Sequence, residues 1–154
     1  MDTGIKNTYG NKVRLRACGI CWKNNSLLLV NHKGITATHF WAPPGGGVEF
    51  GESVNDCLKK EFLEETGLAI STGKFLFACE FIHTPLHAIE LFFSVSVVGG
   101  SLKKGNDPEL AIIEDVKFLS AAQLLKIPAN ELHGIFNFIQ TPGDLNTLNG
   151  FFRI

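Results

Sequence analysis

Three glutamates, Glu61, Glu64 and Glu65, stand at i, i+3 and i+4 in a segment whose apolar residues Val54, Leu58 and Phe62 recur every four positions. That recurrence is helical. At about 100° per residue, Glu61 and Glu65 point within roughly 20° of Val54, and Glu64 lies about 80° to one side. The carboxylates therefore share the inward-looking arc with the aliphatic side chains. Burying unpaired carboxylates is expensive, and like charges packed this close resist full ionisation. Lys60 is adjacent in sequence but points elsewhere on the wheel. A hard divalent cation with oxygen ligands, Mg²⁺ or Mn²⁺, is the natural partner. Metal ions held by carboxylates can neutralise charge on a bound substrate and orient a nucleophile, so metal-assisted catalysis is the chemistry such a cluster suits.

The elements that must hold this cluster can be read from local signals. Ser53 is an N-cap with Asp56 three residues on, and Gly67 is a C-cap, which predicts a helix over residues 54–66. Gly45-Gly46-Gly47 precedes it, after a short strand over 40–42 that stops at Pro43-Pro44. Residues 13–22 and 26–31 read as two strands of a hairpin across Asn24-Asn25, with Val13, Leu15 and Ala17 on one face of the first and Arg14 and Arg16 on the other. Strands follow over 75–82, 88–98 and 112–119, then helices over 120–126 and 130–139. Residues 1–12 and 141–154 read as terminal extensions, the latter ending in Phe151-Phe152-Arg153-Ile154, which should dock on the body or on a second subunit. The pattern predicts a single α+β domain, a mixed sheet sandwiched between helices.

Composition narrows the function. The chain has 154 residues, 45% of them hydrophobic, which suits one domain with a proper core. Net charge is −1, with no basic block, which argues against a nucleic-acid polymer as partner. No apolar run reaches the roughly 20 residues of a membrane span. Residues 1–12 lack the apolar stretch of a signal peptide, so a cytosolic protein is expected. Cys18 and Cys21 have Cys-x-x-Cys spacing, but on a strand they face opposite sides and no second pair completes a zinc site. With Cys57 and Cys79 they read as structural cysteines.

Residues 46–68 resemble the Nudix box: glycine, five residues, glutamate, seven residues, Arg-Glu, an apolar residue, any residue, Glu-Glu, any residue, glycine and an apolar residue. Every fixed position matches except Lys60, where the family has arginine. Trp41 and Pro44, just before the glycines, agree with it. The resemblance implies a mixed sheet between helices, a loop–helix–loop at the box, and Mg²⁺- or Mn²⁺-dependent cleavage of a diphosphate bond in a nucleoside diphosphate linked to another group. It implies metal-ligand roles for Glu61, Glu64 and Glu65 and a metal-facing carbonyl at Gly45. Glu52 is expected to support the helix start, in some cases through a salt bridge to the box's basic residue, and Gly46 and Gly67 to permit tight backbone geometry. Catalytic base candidates are Glu61 and Glu64 in the box, and Glu109 and Glu114 downstream.

Arginine holds a carboxylate with a bidentate fork, whereas Lys60 offers a point charge. Substrate-reading residues lie outside the box. Arg14 and Arg16 are candidate phosphate contacts or a solvated edge. Phe40 and Trp41 are candidates for stacking a base or for packing. Pro85 falls near a proline of some ADP-ribose-cleaving members, and also suits a turn. If the hairpin is symmetric about Pro85, His83 faces His87 and Glu80 faces Glu90, with Glu80 and Glu90 as substrate contacts; a slip of one residue undoes both pairings. The substrates implied are nucleotide sugars such as ADP-ribose, or nucleoside triphosphates. The alternative is a non-catalytic nucleotide sensor, and a homodimer is a reasonable assembly.

Overall fold

The computed structural model describes residues 2–35, 38–105 and 112–154. In chain order it contains α1 (Thr3–Tyr9), β1 (Lys12–Lys23), β2 (Ser26–His32), β3 (Phe40–Ala42), β4 (Gly45–Gly47), α2 (Val54–Thr66), β5 (Leu68–His83), β6 (Leu86–Gly100), β7 (Ile113–Leu119), α3 (Ala121–Leu124) and β8 (Phe151–Arg153). Three 3-10 turns, Ala129–Glu131, Gly134–Phe138 and Pro142–Asn146, connect α3 to β8. No helix among the described residues is long and apolar enough to cross a membrane.

The strands form one mixed sheet in the order β3-β2-β1-β6-β5-β8, with β4 paired to β1 and β7 to β2. The pairs β1–β6 and β5–β8 are parallel and the others antiparallel. Leu27, Leu28, Leu29 and Val30 of β2 are all fully buried. A continuous apolar run of this kind marks a strand covered on both faces. Leu28 and Val30 pack with Leu58 and Phe62 of α2, while Leu27 and Leu29 pack with Phe77, Phe92, Ile135 and Leu145 under the C-terminal segment. The sandwich of helix, sheet and helical turns follows from this alternation. Cys21 enters the first of these layers and Cys18 the second, and all four cysteines are buried and free.

Four expectations need correction. Gly45–Gly47 is a strand: it pairs with Arg16, Ala17 and Cys18 of β1. Residues 120–126 shorten to α3, started by a capping box between Ser120 and Gln123. Residues 130–139 do not form a helix. His133 is extended, and its ring accepts the N–H of Ile135 at 3.2 Å while its other nitrogen bonds Glu90 at 2.7 Å, so the chain restarts there as a 3-10 turn. The β5–β6 hairpin turns on Thr84 and Pro85 together, which pairs His83 with Leu86, Ile82 with His87 and Cys79 with Glu90. This one-residue slip puts Glu80 and Glu90 on opposite faces of the sheet.

Both termini are built into the domain. Phe151–Arg153 adds β8 in parallel to β5, and the Phe152 ring packs on Phe77 and Phe138 at 6.3 and 5.2 Å between centroids. At the other end α1 is capped by Asp2, whose Oδ1 accepts the N–H groups of Gly4 and Ile5. Ile5 is 1% exposed.

Candidate active site

α2 presents its carboxylates through local rules. The Ser53 hydroxyl accepts the Asp56 N–H at 3.0 Å, and Gly67 ends the helix at φ 75°, a conformation that costs glycine little. Glu65 is buried: Oε1 accepts the Gly45 N–H at 2.9 Å, and Oε2 lies 3.4 Å from His32 Nε2 at the end of β2. Glu61 sits against Gly46, where a Cβ would overlap its carboxyl group, so a larger residue there would displace that carboxyl from its place beside β4. Burial, and then the charges of Glu65 and Glu64, push the Glu61 carboxyl up to about 7, against the pull of Lys60 and Arg16. Glu64 Oε2 is buried without a hydrogen-bond partner, as is His32 Nδ1.

All three glutamates open into one cleft of about 710 Å³, lined also by residues of β1, β4 and β6 and by Ile5, Thr8 and Tyr9 of α1. Beside them lies a second charged group. Glu90 of β6 is 3% exposed; its two oxygens meet Arg16 Nη1 at 2.5 Å and His133 Nε2 at 2.7 Å. Burial works to raise the Glu90 carboxyl, but His133 and Arg16 overcome it and hold it at about 2. Arg16 Nη2 also donates to the Gly45 carbonyl at 3.2 Å. The chain His133–Glu90–Arg16–Gly45–Glu65 therefore runs from the C-terminal segment to the carboxylate cluster. Arg14 lines the cleft with its guanidinium 4.0 Å above the Tyr9 ring.

The structure brings together Arg14, Arg16, Gly45, Gly46, Lys60, Glu61, Glu64, Glu65 and Glu90. Glu52 pairs with Lys60 at 2.8 Å and steadies the helix start. That bond lowers the Glu52 carboxyl and raises the Lys60 amine. Phe40 lines the cleft, while Trp41 packs among the apolar residues under the C-terminal segment. Two candidates are placed elsewhere. Glu114 is exposed, pairs with Lys33 at 3.2 Å and does not line the cleft. Glu80 faces away and meets His87 at 3.1 Å. Glu109 lies outside the described residues. His32, His133 and Tyr9 are additional cleft residues. Asp2 as an N-cap, with Ile5 and Tyr9 four apart, is the signal for α1; nothing local marks the two histidines.

Among the described residues, no three His, Cys, Asp or Glu side chains stand together as a ready-made cation shell. The donor set nevertheless fits a hard divalent cation: carboxylate oxygens, one of them buried without a partner, on a helix face whose repulsion a cation would relieve. Lys60 reaches back to Glu52, just before the helix start, and stops 3.9 Å from Glu61, so its role is a steadying one. Lys60→Arg should accordingly keep the ion pair and leave metal dependence intact, with kcat/KM within about tenfold of the parent. Parallel Mg²⁺ titrations of both proteins check this, and a changed reaction would refute it.

The NUDIX domain model matches residues 12–138. The chain is 35% identical over 103 residues to an ADP-ribose pyrophosphatase of Methanocaldococcus jannaschii, covering 66% of this chain and 61% of that protein. It is 30% identical over 137 residues to an m7GpppN-mRNA hydrolase of Danio rerio, covering 79% of this chain and 46% of that one. The matches thus span about half to three fifths of these relatives' lengths. Among solved structures it is similar to a MutT NUDIX hydrolase from Burkholderia pseudomallei, with a TM-score of 0.68 at 19% identity over 82% of this chain and 95% of that one.

Proposed function

Because the chain belongs to the NUDIX domain family, we propose that it hydrolyses the diphosphate bond of a nucleoside diphosphate linked to a further group, in the nucleotide-sugar class, with Mg²⁺ or Mn²⁺ as cofactor. The observation that carries this reading is the opening of Glu61, Glu64 and Glu65 into a single cleft of about 710 Å³ together with Arg14 and Arg16. That volume lies within the roughly 300–1,000 Å³ of small-molecule sites and suits a nucleotide rather than a polymer. The similarity to an ADP-ribose pyrophosphatase supports the same substrate class.

A bound divalent cation would supply charge neutralisation at the phosphates and a more acidic water. The chain's own residues do the rest. Glu61, Glu64 and Glu65 would hold the cation, and the Gly45 N–H fixes the orientation of the Glu65 carboxylate. Arg16 is held by Glu90 at the cleft floor, and Arg14 by Tyr9 at its side; both face the substrate phosphates. Glu64, whose Oε2 no protein group satisfies, accepts the proton of the attacking water. The water oxygen bonds one phosphorus, the bridging oxygen departs with the other, and two phosphate-bearing products result.

A panel of nucleotide sugars and nucleoside triphosphates, incubated with Mg²⁺ and with a chelator, tests the proposal through release of monophosphates or pyrophosphate. Turnover of a nucleotide sugar that stops on chelation is expected. Tight binding with no turnover of any member would identify a sensor instead. Mg²⁺ at 100 times its Kd should add about 2.7 kcal/mol of stability, read as a rise in Tm of about 5–10 °C.

A further inference from the structure

We propose that α1, which precedes the family-matched residues 12–138, is part of the substrate site, and that the apolar chamber it closes takes the nucleobase of the nucleotide; this rests on the reading above. α1 is fixed in place at both ends. Asp2 N–H donates to the Gly34 carbonyl at 3.0 Å, and Asn11 N–H to the Pro85 carbonyl at 2.8 Å. Between them Ile5 packs with Leu86 and Ile112 in a small core of its own. The helix is thereby tied to the segment after β2 and to the β5–β6 turn, the two edges of the cleft's end.

The chemistry changes along the cleft in the order in which it changes along a nucleotide. At the α1 end, Ile5, Tyr9, Ile35, Phe40, Phe81 and Leu86 line it, with the Phe40 and Phe81 rings 6.4 Å apart. Thr8, Lys12 and His87 line the cleft as well, but the rings of Tyr9, Phe40 and Phe81 give it flat faces of the kind a nucleobase stacks on. Next comes Arg14. Its guanidinium lies 4.0 Å over the Tyr9 ring, and Nη2 is 3.1 Å from where a Cβ of Gly47 would stand. It therefore bridges α1 and β4 and sets a cation where phosphate would follow the nucleoside. The carboxylates of α2, with the cation they would hold, come last. Base, phosphate and metal thus find their counterparts in sequence within one cleft. Tyr9 has two tasks in this scheme: it completes the chamber wall and it fixes Arg14.

Equilibrium binding tests this without requiring turnover. The mononucleotides AMP, GMP, CMP and UMP are each compared with ribose 5-phosphate, which differs from them by the base alone. The parent protein should bind at least one mononucleotide about tenfold or more tighter than ribose 5-phosphate. Tyr9→Ala and Phe40→Ala should each remove about five- to tenfold of that preference, and Tyr9→Phe, which keeps the ring, should restore it. Circular dichroism confirms that the variants are folded. Equal binding of ribose 5-phosphate and every mononucleotide by the parent protein, or equal weakening of both ligands in Tyr9→Ala and Phe40→Ala, would overturn the proposal. Base-selective binding in a protein that cleaves nothing would leave the chamber standing and remove the hydrolase reading.

Discussion

Glu65→Gln is expected to lower kcat/KM about 100- to 1,000-fold and to weaken Mg²⁺ binding in parallel, while Tm of the metal-free protein stays within a few degrees of the parent. The argument begins with isostery. A Gln oxygen can still accept the Gly45 N–H that Glu65 Oε1 accepts at 2.9 Å, so the helix, β4 and their packing have no reason to move. What disappears is one negative charge from a cluster of three in which burial, and then the repulsion of Glu65 and Glu64, push Glu61 up to about 7. The metal-free protein therefore loses little, and a cation loses a ligand. Kinetics at varied Mg²⁺ separate the two effects: a pure loss of cation affinity is recovered at high metal, whereas a loss of transition-state stabilisation is not. Full activity in this variant would remove Glu65 from the metal site.

Glu90→Ala should be the most damaging substitution for stability, costing about 3–5 kcal/mol and lowering Tm by about 10 °C. Glu90 is 3% exposed and bonds Arg16 and His133 on opposite oxygens. Its removal leaves a guanidinium and an imidazole facing a void in place of the carboxylate that paired them, and it frees Arg16 from the position from which it reaches the Gly45 carbonyl. Urea denaturation measures the loss, and a variant as stable as the parent would show that the buried ion pairs contribute nothing net. The pH dependence carries a distinct signature. Glu90 is lowered from 4.5 to about 2 in the folded protein. Its contribution is thus complete above about 4.5 and is lost as pH falls toward 2, about 3 kcal/mol in all. The parent should lose stability across that window more steeply than Glu90→Ala does.

The two substitutions separate what local sequence can disclose from what it cannot. The carboxylate face of α2 was legible because i, i+3, i+4 spacing is converted into side-chain position by helix geometry alone. The Ser53 and Gly67 caps are legible from local signals as well, whereas the Glu52–Lys60 bridge was an expectation from the family resemblance alone. Glu90 was marked as a candidate, but for a partner it does not have. Placing the turn one residue off set it opposite Glu80, whereas the true register turns it into the cleft and Glu80 out of it. Glu114 failed similarly: chain position near the site says nothing about which way a strand residue faces, and this one faces solvent beside Lys33.

From its sequence by itself, then, this protein's candidate reaction machinery could be read: a capped helix, its three inward glutamates, and a mixed sheet covered on both faces. All of these are consequences of short-range geometry and alternation. Tertiary structure alone decided the surroundings of that machinery. Arg16 and Glu90 lie 74 residues apart, Glu90 and His133 lie 43 apart, and their meeting depends on strand register and on a chain that breaks its helix at His133. Residues 2–12, part of what reads by composition as an extension, become a wall of the cleft because Ile5 finds Leu86 and Ile112. Contacts over such separations are selected by the packing of the whole core, which no local spacing encodes.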